Sequence, residues 1–387
     1  MKSKFFFAGV IMGVFLCNIS CASSSNLQLD SKYPPEFIRG FDVSCVKQIE
    51  DNGGLYKSTD STTQDIFEIL KKNGINWIRV RLWNNPTIAE GNNNSATTLS
   101  LLQRAKQSGF KTLLDFHYSD YWADPGKQII PKEWEEITDI NQLSTEVYNF
   151  TKNFLILCKT NECLPDMVQI GNEIDNGIML TKNDGTPAYL PLYTWTEKYQ
   201  ELKNLNFVLT SARNAVKEVS QQIKVAVHIS CGGIKENTDW IIRNISGVNF
   251  DCIGLSWYPF YNHGTLKQLE ENINYLSSTY KKEVFVAENS FAWTTTEYGD
   301  STPNLFYTEQ IQESNKKFGN EQLTASIKDQ AKEIELVKDA VYKSKGLGMF
   351  YWGGEWISTK TFQSNWENQA LFDISGKELE GLKTLGN

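Results

Sequence analysis

Short apolar runs rich in β-branched and aromatic residues alternate along the chain with longer segments whose apolar positions recur every three or four residues. The short runs fall at 37–43, 77–82, 111–117, 166–171, 224–228, 252–257, 283–287 and 346–352 and predict eight strands. The longer segments at 62–73, 98–108, 142–158, 196–219, 236–245, 266–280 and 324–344 predict helices. In the first of them Ile66, Ile69 and Leu70 share one face. Gly74, Gly109 and Gly346 stand just before strands, where a glycine ends a helix in the left-handed conformation. No Ser/Pro-rich linker, low-complexity tract or charge block interrupts the alternation. The pattern predicts a single (β/α)8 barrel, of the TIM type, over residues 35–387. An open doubly wound sheet is the competing arrangement, and no Gly-x-Gly-x-x-Gly turn follows the first strand to support it.

Residues 1–25 follow a different rule. Lys2 and Lys4 precede twelve uninterrupted apolar or glycine residues, Phe5 to Leu16. That is too short to span a bilayer and suits an export signal. Ser20-Cys21 reads as a lipoprotein-type cleavage point with Cys21 as the acylated residue, although Asn18 stands where such sites usually carry Leu. A freely secreted product and an uncleaved anchor are the alternatives. Five cysteines remain beyond this segment: Cys45, Cys158, Cys163, Cys231 and Cys252. An odd number cannot all pair internally. The short loop between Cys158 and Cys163 predicts that these two pair. Cys231 follows the fifth strand and Cys252 opens the sixth, so parallel strands set them at opposite ends of the barrel, beyond disulfide reach.

The 38 basic and 46 acidic residues give a formal net charge of −8, which makes nucleic acid and anionic membrane surfaces poor partners. The three histidines, His117, His228 and His263, lack the spacing of a zinc motif, and no paired Cys-x-x-Cys units occur. In a barrel the active site forms at the C-terminal ends of the strands. In order, those ends carry Asp42; Arg79, Arg81 and Trp83; Asp115, His117 and Tyr118; Asn172 and Glu173; His228; Trp257 and Tyr258; Glu288; and Trp352. Strands four and seven each end in a glutamate. Two carboxylates opposed across a barrel mouth suit glycoside hydrolysis, where one protonates the leaving oxygen and the other attacks the anomeric carbon or activates water. Unlike surroundings must hold their pKa values apart. The structural alternative, a glutamate at the start of the next helix, weakens when both stand beside an aromatic-rich rim. Sugar rings pack their C–H faces on such aromatics. Trp83, Trp122, Trp257, Trp293 and Trp352 stand at or just after strand ends as candidate platforms, and Trp77, Trp134, Trp195, Trp240 and Trp356 read as structural.

The segments Gly40-Phe-Asp-Val-Ser44, Ile78-Arg-Val-Arg-Leu-Trp-Asn-Asn-Pro86, Leu114-Asp-Phe-His-Tyr-Ser-Asp120, Trp122-Ala-Asp-Pro-Gly-Lys127, Gln169-Ile-Gly-Asn-Glu-Ile174, Trp257-Tyr-Pro-Phe260, Val286-Ala-Glu288 and Asn368-Gln-Ala-Leu-Phe-Asp373 resemble glycoside hydrolase family 53, the endo-β-1,4-galactanases. The likeness runs over nearly the whole chain beyond the export segment, and the block 114–127 is its most specific part. It implies a retaining mechanism with Glu173 as general acid/base and Glu288 as nucleophile, their carboxyl groups ~5–5.5 Å apart. It also implies that Asn172 bonds the sugar 2-hydroxyl, that Tyr258 orients the nucleophile and that Trp352 floors the subsite of the reacting sugar. Asp42, Trp83, His117 and Trp257 are further expected substrate contacts, His117 reaching either the sugar or Glu173. Arg81 is expected to hold Glu288 ionised, with Arg79 as the alternative.

Some bacterial members of that family carry a calcium ion between the loops after strands seven and eight. Asp300, Asn304, Asn365 and Glu367 are the matching oxygen donors, without the family's histidine in the first loop and with Glu367 where Asp is usual. The implied product is an exported monomer acting on β-1,4-galactan or type I arabinogalactan, with no cofactor for the chemistry and membrane contact only through a lipid at Cys21. The competing readings are a mannanase or cellulase of the same clan and an inactive barrel that captures glycan at a cell surface.

Overall fold

In the computed structural model the chain forms two units, Met1–Ser31 and Lys32–Asn387. The structure describes Met1 and residues 32–86, 93–190, 192–196, 198–296 and 302–387. The export segment expected at 1–25 therefore lies outside the described residues, apart from Met1. No helix among those described is long and apolar enough to cross a membrane.

Eight parallel strands close into a barrel in sequence order: β1 Ile38–Asp42, β2 Trp77–Leu82, β3 Lys111–Phe116, β4 Met167–Ile170, β5 Lys224–Ile229, β6 Cys252–Ser256, β7 Glu283–Glu288 and β8 Gly348–Tyr351. Around them run α1 Val46–Asp51, α2 Ile66–Lys72, α3 Ser95–Gln107, α4 Ile140–Thr160, α5 Tyr199–Val219, α6 Lys235–Ile245, α7 Leu266–Tyr280, α8 Thr308–Asn315, α9 Ile327–Lys343 and α10 Glu380–Gly386. The predicted (β/α)8 architecture is the one observed. The helices start where side chains satisfy their free N–H groups: Asp65, Asn94, Asp139 and Ser326 cap α2, α3, α4 and α9, and Thr265 with Gln268 forms a capping box on α7. The sequence pattern missed α1, α8 and α10. Each is eight residues or fewer, too short for a helical period to show.

The barrel interior has two chemistries. Its lower end, at the strand starts, is filled by Ile38, Trp77, Leu113, Met167, Phe285 and Phe350. Gly40 makes room for this layer, since a Cβ there would stand 2.2 Å from the Phe350 ring. Toward the strand ends the interior turns polar, with Arg79, Asp115, Gln169, His228 and Ser256 all buried. The polar half is the floor of the site.

Two local expectations are corrected. Gly74 and Gly109 do end helices at positive φ, 90° and 75°, but before β8 the left-handed residue is Lys345 (φ 60°) and not Gly346. Gly346 instead makes a close approach, because a Cβ would lie 2.7 Å from Val341. Cys158 and Cys163 are free thiols, as are Cys45, Cys231 and Cys252. The turn that ends α4 brings the two thiols within hydrogen-bond reach of each other. Glu162 enters the left-handed region (φ 58°), Cys163 N–H donates to the Cys158 carbonyl at 2.9 Å, and Cys163 Sγ points at the same oxygen at 3.5 Å. The separation of Cys231 and Cys252 is as expected: Cys231 Sγ bonds Asp175 above the barrel, and Cys252 Sγ approaches Glu283 at the start of β7.

Thiol titration of a chain lacking residues 1–31, unfolded in concentrated guanidinium without reductant, is expected to count all five cysteines. A count lower by two would place a disulfide in the protein.

Candidate active site

Arg79 sits on β2 with 1% of its surface exposed and points along the barrel axis. Its Nη1 contacts Glu288 Oε1 at 2.8 Å and Asp42 Oδ2 at 3.2 Å. Its Nη2 contacts Asp115 Oδ2 at 2.8 Å and Asn172 Oδ1 at 2.9 Å. One guanidinium thus joins β1, β2, β3, β7 and the end of β4. Asp115 is tied down further, accepting from Gln169 Nε2 at 2.7 Å and from His117 Nε2 at 3.2 Å. Although burial opposes it, Arg79 and His117 hold the Asp115 carboxyl below its ordinary range.

Glu173 stands on a strained turn. After β4 the backbone passes through Gly171 at φ 91°, and Glu173 adopts φ 44°, ψ 60°, a left-handed conformation that costs a side-chain-bearing residue about 1–3 kcal/mol. The segment after β3 holds it there. Gln128 Nε2 donates to the carbonyls of Asn172 (2.9 Å) and Glu173 (3.2 Å), while Asn172 Nδ2 donates to Ala123 O and Asn176 Nδ2 to Pro125 O. The sequence block 114–127 is therefore the brace of the Asn172-Glu173 turn.

The two glutamates meet across the barrel. One oxygen of each and a His228 ring nitrogen all lie within 4.8 Å of one another. Ser256 Oγ sits between the carboxylates, 2.7 Å from Glu173 Oε1 and 3.4 Å from Glu288 Oε2. Tyr258 O–H donates to Glu288 Oε2 at 2.9 Å. Burial, the Glu288 charge and Asp175 push the Glu173 pKa well above the usual carboxylate range. Burial raises Glu288 too, but Arg79 and the Tyr258 hydroxyl pull it back. The same cluster offers three donors that suit a metal ion. Its atoms are already bonded within the protein: the His228 nitrogens by Asn172 and Ser256, Glu288 by Arg79 and Tyr258. Burial and Arg79 keep His228 neutral, its pKa well below the usual value.

Both carboxylates open into a cavity of about 690 Å³. Of the expected residues, Arg81, His117, Asn172, Glu173, Tyr258, Glu288 and Trp352 line it. Three expectations are corrected. Asp42 is buried behind Arg79 and accepts from Ser44 N–H. Trp83 is fully buried, its Nε1 donating to His117 Nδ1 at 3.0 Å, and Trp257 is fully buried with Nε1 on Gly264 O. Neither lines the cavity: Tyr121 and Trp122 cover Trp83, and Trp257 packs against Phe318. His117 reaches the cavity, but Asp115 on one side and Trp83 and Ala123 on the other occupy both its nitrogens. The arginine on Glu288 is Arg79 and not Arg81. Arg81 bonds Cys45 Sγ and lies 4.0 Å from the Trp122 ring centroid, backing that ring by a cation–π contact.

The aromatic wall is Trp122, Trp352, Trp356 and Trp366, adjacent rings 4.8–5.9 Å apart. Trp356, read from sequence as structural, is held facing the cavity by Glu355, which accepts from its Nε1 and from Cys45 N–H. Trp366 was missed, as were Tyr261 and His263, because all three lie on loops with no strand end to mark them. Trp293 is half-buried and ties the loops after β7 and β8, donating to Glu367 O at 3.1 Å.

The calcium expectation falls on that junction. Asp300 lies outside the described residues. Asn304 spends its Nδ2 on Thr296 O, Asn365 O accepts from Leu305 N–H, and Glu367 is buried in a 3-10 turn. The described donors are one carboxylate and two amides, too few charges by themselves to make a calcium cage.

Comparison with known proteins points one way. The model of glycosyl hydrolase family 53 matches residues 38–385. The chain is 31% identical over 385 residues to an arabinogalactan endo-β-1,4-galactanase of Cellvibrio japonicus, covering 97% of this chain and 94% of that protein. It is 30% identical over 393 residues to an endo-β-1,4-galactanase of Bacillus subtilis, covering 90% and 85%. The solved GH53 catalytic domain of Ignisphaera aggregans superposes with a TM-score of 0.80 at 37% identity, covering 92% of this chain and 96% of that one.

Replacing Arg79 by Met leaves three buried carboxylates without their cation. Denaturant unfolding at neutral pH is expected to show a loss of about 3–5 kcal/mol. The depressed Asp115 pKa means that its ion pair stabilises the fold above the unfolded carboxylate pKa and is lost as pH falls through the folded one. The gap between wild type and variant should therefore narrow in acid, and a gap that widens there would contradict the assignment.

Proposed function

The chain belongs to glycosyl hydrolase family 53, and we propose that it cleaves internal β-1,4-galactosidic bonds of galactan and type I arabinogalactan with retention of anomeric configuration. The observation that carries the division of labour is the placement of Arg79. Arg79 pairs with Glu288, and among the described residues no cation pairs with Glu173. Glu288 is thus the carboxylate kept ionised to attack, and Glu173 is the one kept protonated to donate.

In the first step the Glu173 proton passes to the glycosidic oxygen while a Glu288 oxygen forms a bond to the anomeric carbon from the other face. The aglycone leaves as an alcohol. The product is an α-linked galactosyl ester of Glu288, and Glu173 is left ionised. In the second step Glu173 takes a proton from water, whose oxygen attacks the anomeric carbon and expels Glu288. A carboxyl separation of the short, retaining class supports this order, since an inverting pair leaves ~6.5–9.5 Å for a water. Asn172 lines the cavity beside Glu173, its Oδ1 fixed by Arg79 and Gln169, and serves as the contact to the sugar 2-hydroxyl. Trp352 floors the reacting sugar, and Trp122, Trp356 and Trp366 extend the stacking surface. The likeness to galactanases from C. japonicus and B. subtilis supports the choice of galactan.

The reading also takes the protein as exported and monomeric, with residues 1–25 as an export segment and short tether, cleaved between Ser20 and Cys21, and Cys21 as the lipid-bearing residue. A structural calcium at the junction of the loops after β7 and β8 is part of it, and a melting temperature unmoved by EGTA would remove the ion.

Two variants separate the roles. Glu173→Ala and Glu288→Ala are each expected to lower activity on linear galactan by ~10²–10⁴-fold or more. Glu173→Ala should still turn over an activated aryl galactobioside when azide is supplied, giving a β-galactosyl azide. Glu288→Ala should not give that product. An α-azide from Glu173→Ala would exchange the two roles. A third variant tests the electrostatics. Asp175 raises the Glu173 pKa, so Asp175→Asn should lower it and move the alkaline limb of the kcat/KM profile to lower pH; a limb that moves upward would contradict the reading.

A further inference from the structure

Ser256 is absent from any motif in the sequence, yet it occupies the only position in contact with both carboxylates among the described residues. It ends β6. The β6–β7 ladder shifts register between Leu255 and Ser256, so that Ser256 pairs with Glu288. An irregularity of this kind re-aims a side chain. The extra residue is on β7, where Glu288 directly follows the inward-facing Ala287, so the shift turns Glu288 toward Ser256, whose fully buried hydroxyl shares the inward face of Cys252 and stands between two acids. The hydroxyl lies 2.7 Å from Glu173 Oε1, 3.4 Å from Glu288 Oε2 and 2.9 Å from His228 Nε2.

A serine hydroxyl has one proton to donate. Two carboxylates and an imidazole nitrogen compete for it, so its direction depends on which neighbour carries charge. On the double-displacement reading above, which this inference rests on, that charge alternates. Before attack Glu288 is ionised and Glu173 carries a proton. In the galactosyl-enzyme Glu288 is an uncharged ester and Glu173 is ionised. Glu288 has other donors, Arg79 and Tyr258, whereas Ser256 is the side-chain donor seen on Glu173.

We propose that Ser256 is a positioning residue for the second half of the reaction, its hydroxyl donating to Glu173 Oε1 in the galactosyl-enzyme and so holding the ionised Glu173 in line to deprotonate water. His228 supports the hydroxyl from behind. Its Nε2 proton donates to Ser256 Oγ while the serine proton goes to Glu173, and its Nδ1 accepts from Gln169 Nε2 and the Glu173 N–H. Bond making stays with Glu173, Glu288 and water. The groups that face Glu173 are Ser256 at the end of β6, Glu288 from β7, Asp175 from the turn after β4, Asp124 from the loop after β3, His228 from β5 and Tyr258 beyond β6. Of these, Ser256 is the one whose proton can follow the charge.

The test is pre-steady-state kinetics of the full-length enzyme with a dinitrophenyl β-galactobioside. Ser256→Ala should release dinitrophenol in a burst of one equivalent per enzyme. The steady rate that follows should be on the order of 10-fold or more below wild type, the scale of a lost hydrogen bond to a charged group. kcat/KM, which reports the first step, should stay within about 3-fold, a smaller change than such a bond is worth. Azide should restore the steady rate, because it needs no base, and Ser256→Thr, which keeps the hydroxyl, should behave as wild type. Ser256→Cys, which keeps the volume and loses the strong donor, gives the same readout if the alanine variant does not fold. Equal falls in kcat and kcat/KM without a burst, or no effect of azide, would overturn the proposal and make Ser256 a packing residue. Inverted product or no galactan cleavage by the wild-type enzyme would instead overturn the double-displacement reading itself.

Discussion

The structure depends on one buried guanidinium. Arg79 lies where β1, β2, β3 and β7 converge, and its partners are the buried carboxylates of Asp42 and Asp115 and that of Glu288 at the cavity floor. Taking so many charges out of solvent is costly unless they satisfy one another. The constraint explains why the upper half of the barrel interior is a network and not a packed apolar layer. It also sets the electrostatics of the site. Arg79 reaches Glu288, and among the described residues no cation pairs with Glu173, a few ångströms away and flanked by acids. Two chemically identical side chains thereby acquire different protonation preferences from their surroundings alone.

A second constraint acts on the backbone. Glu173 reaches the cavity because β4 is short and the chain turns sharply after it through two left-handed residues. Such a turn persists only when its surroundings hold it. Gln128, Asn172 and Asn176 hold it, by bonds that run between the loop after β3 and the turn after β4. The loop after β3 thus both braces the turn that carries Glu173 and lines the cavity with Tyr121, Trp122 and Asp124.

Several roles went to residues other than the expected ones for a common geometric reason. Arg79 and Arg81 are two apart on one strand, and Asp42 shares their interior face, yet they differ in height along the barrel. Height decides whether a side chain meets Glu288, a tryptophan face or the cavity. The tryptophans divide likewise. Trp83 and Trp257 follow strands but are covered, whereas Trp356 and Trp366, on the long segment after β8, turn back over the site. For Cys158 and Cys163 the expectation named the right neighbours: a helix-ending turn brings the two thiols within hydrogen-bond reach, and both are free.

The sequence by itself determined the eightfold alternation, the strand ends and hence the face that carries Glu173 and Glu288, because burial period and strand polarity are local properties of a chain. It determined the pair of glutamates and the neighbouring Asn172 for the same reason. Tertiary structure alone decided which arginine meets Glu288, which aromatics line the cavity, that the thiols stay free and that Ser256 stands between the two acids. Those outcomes depend on strand stagger, on one register shift between β6 and β7 and on how long loops fold back. These are distances between residues far apart in the chain, and no local pattern encodes them.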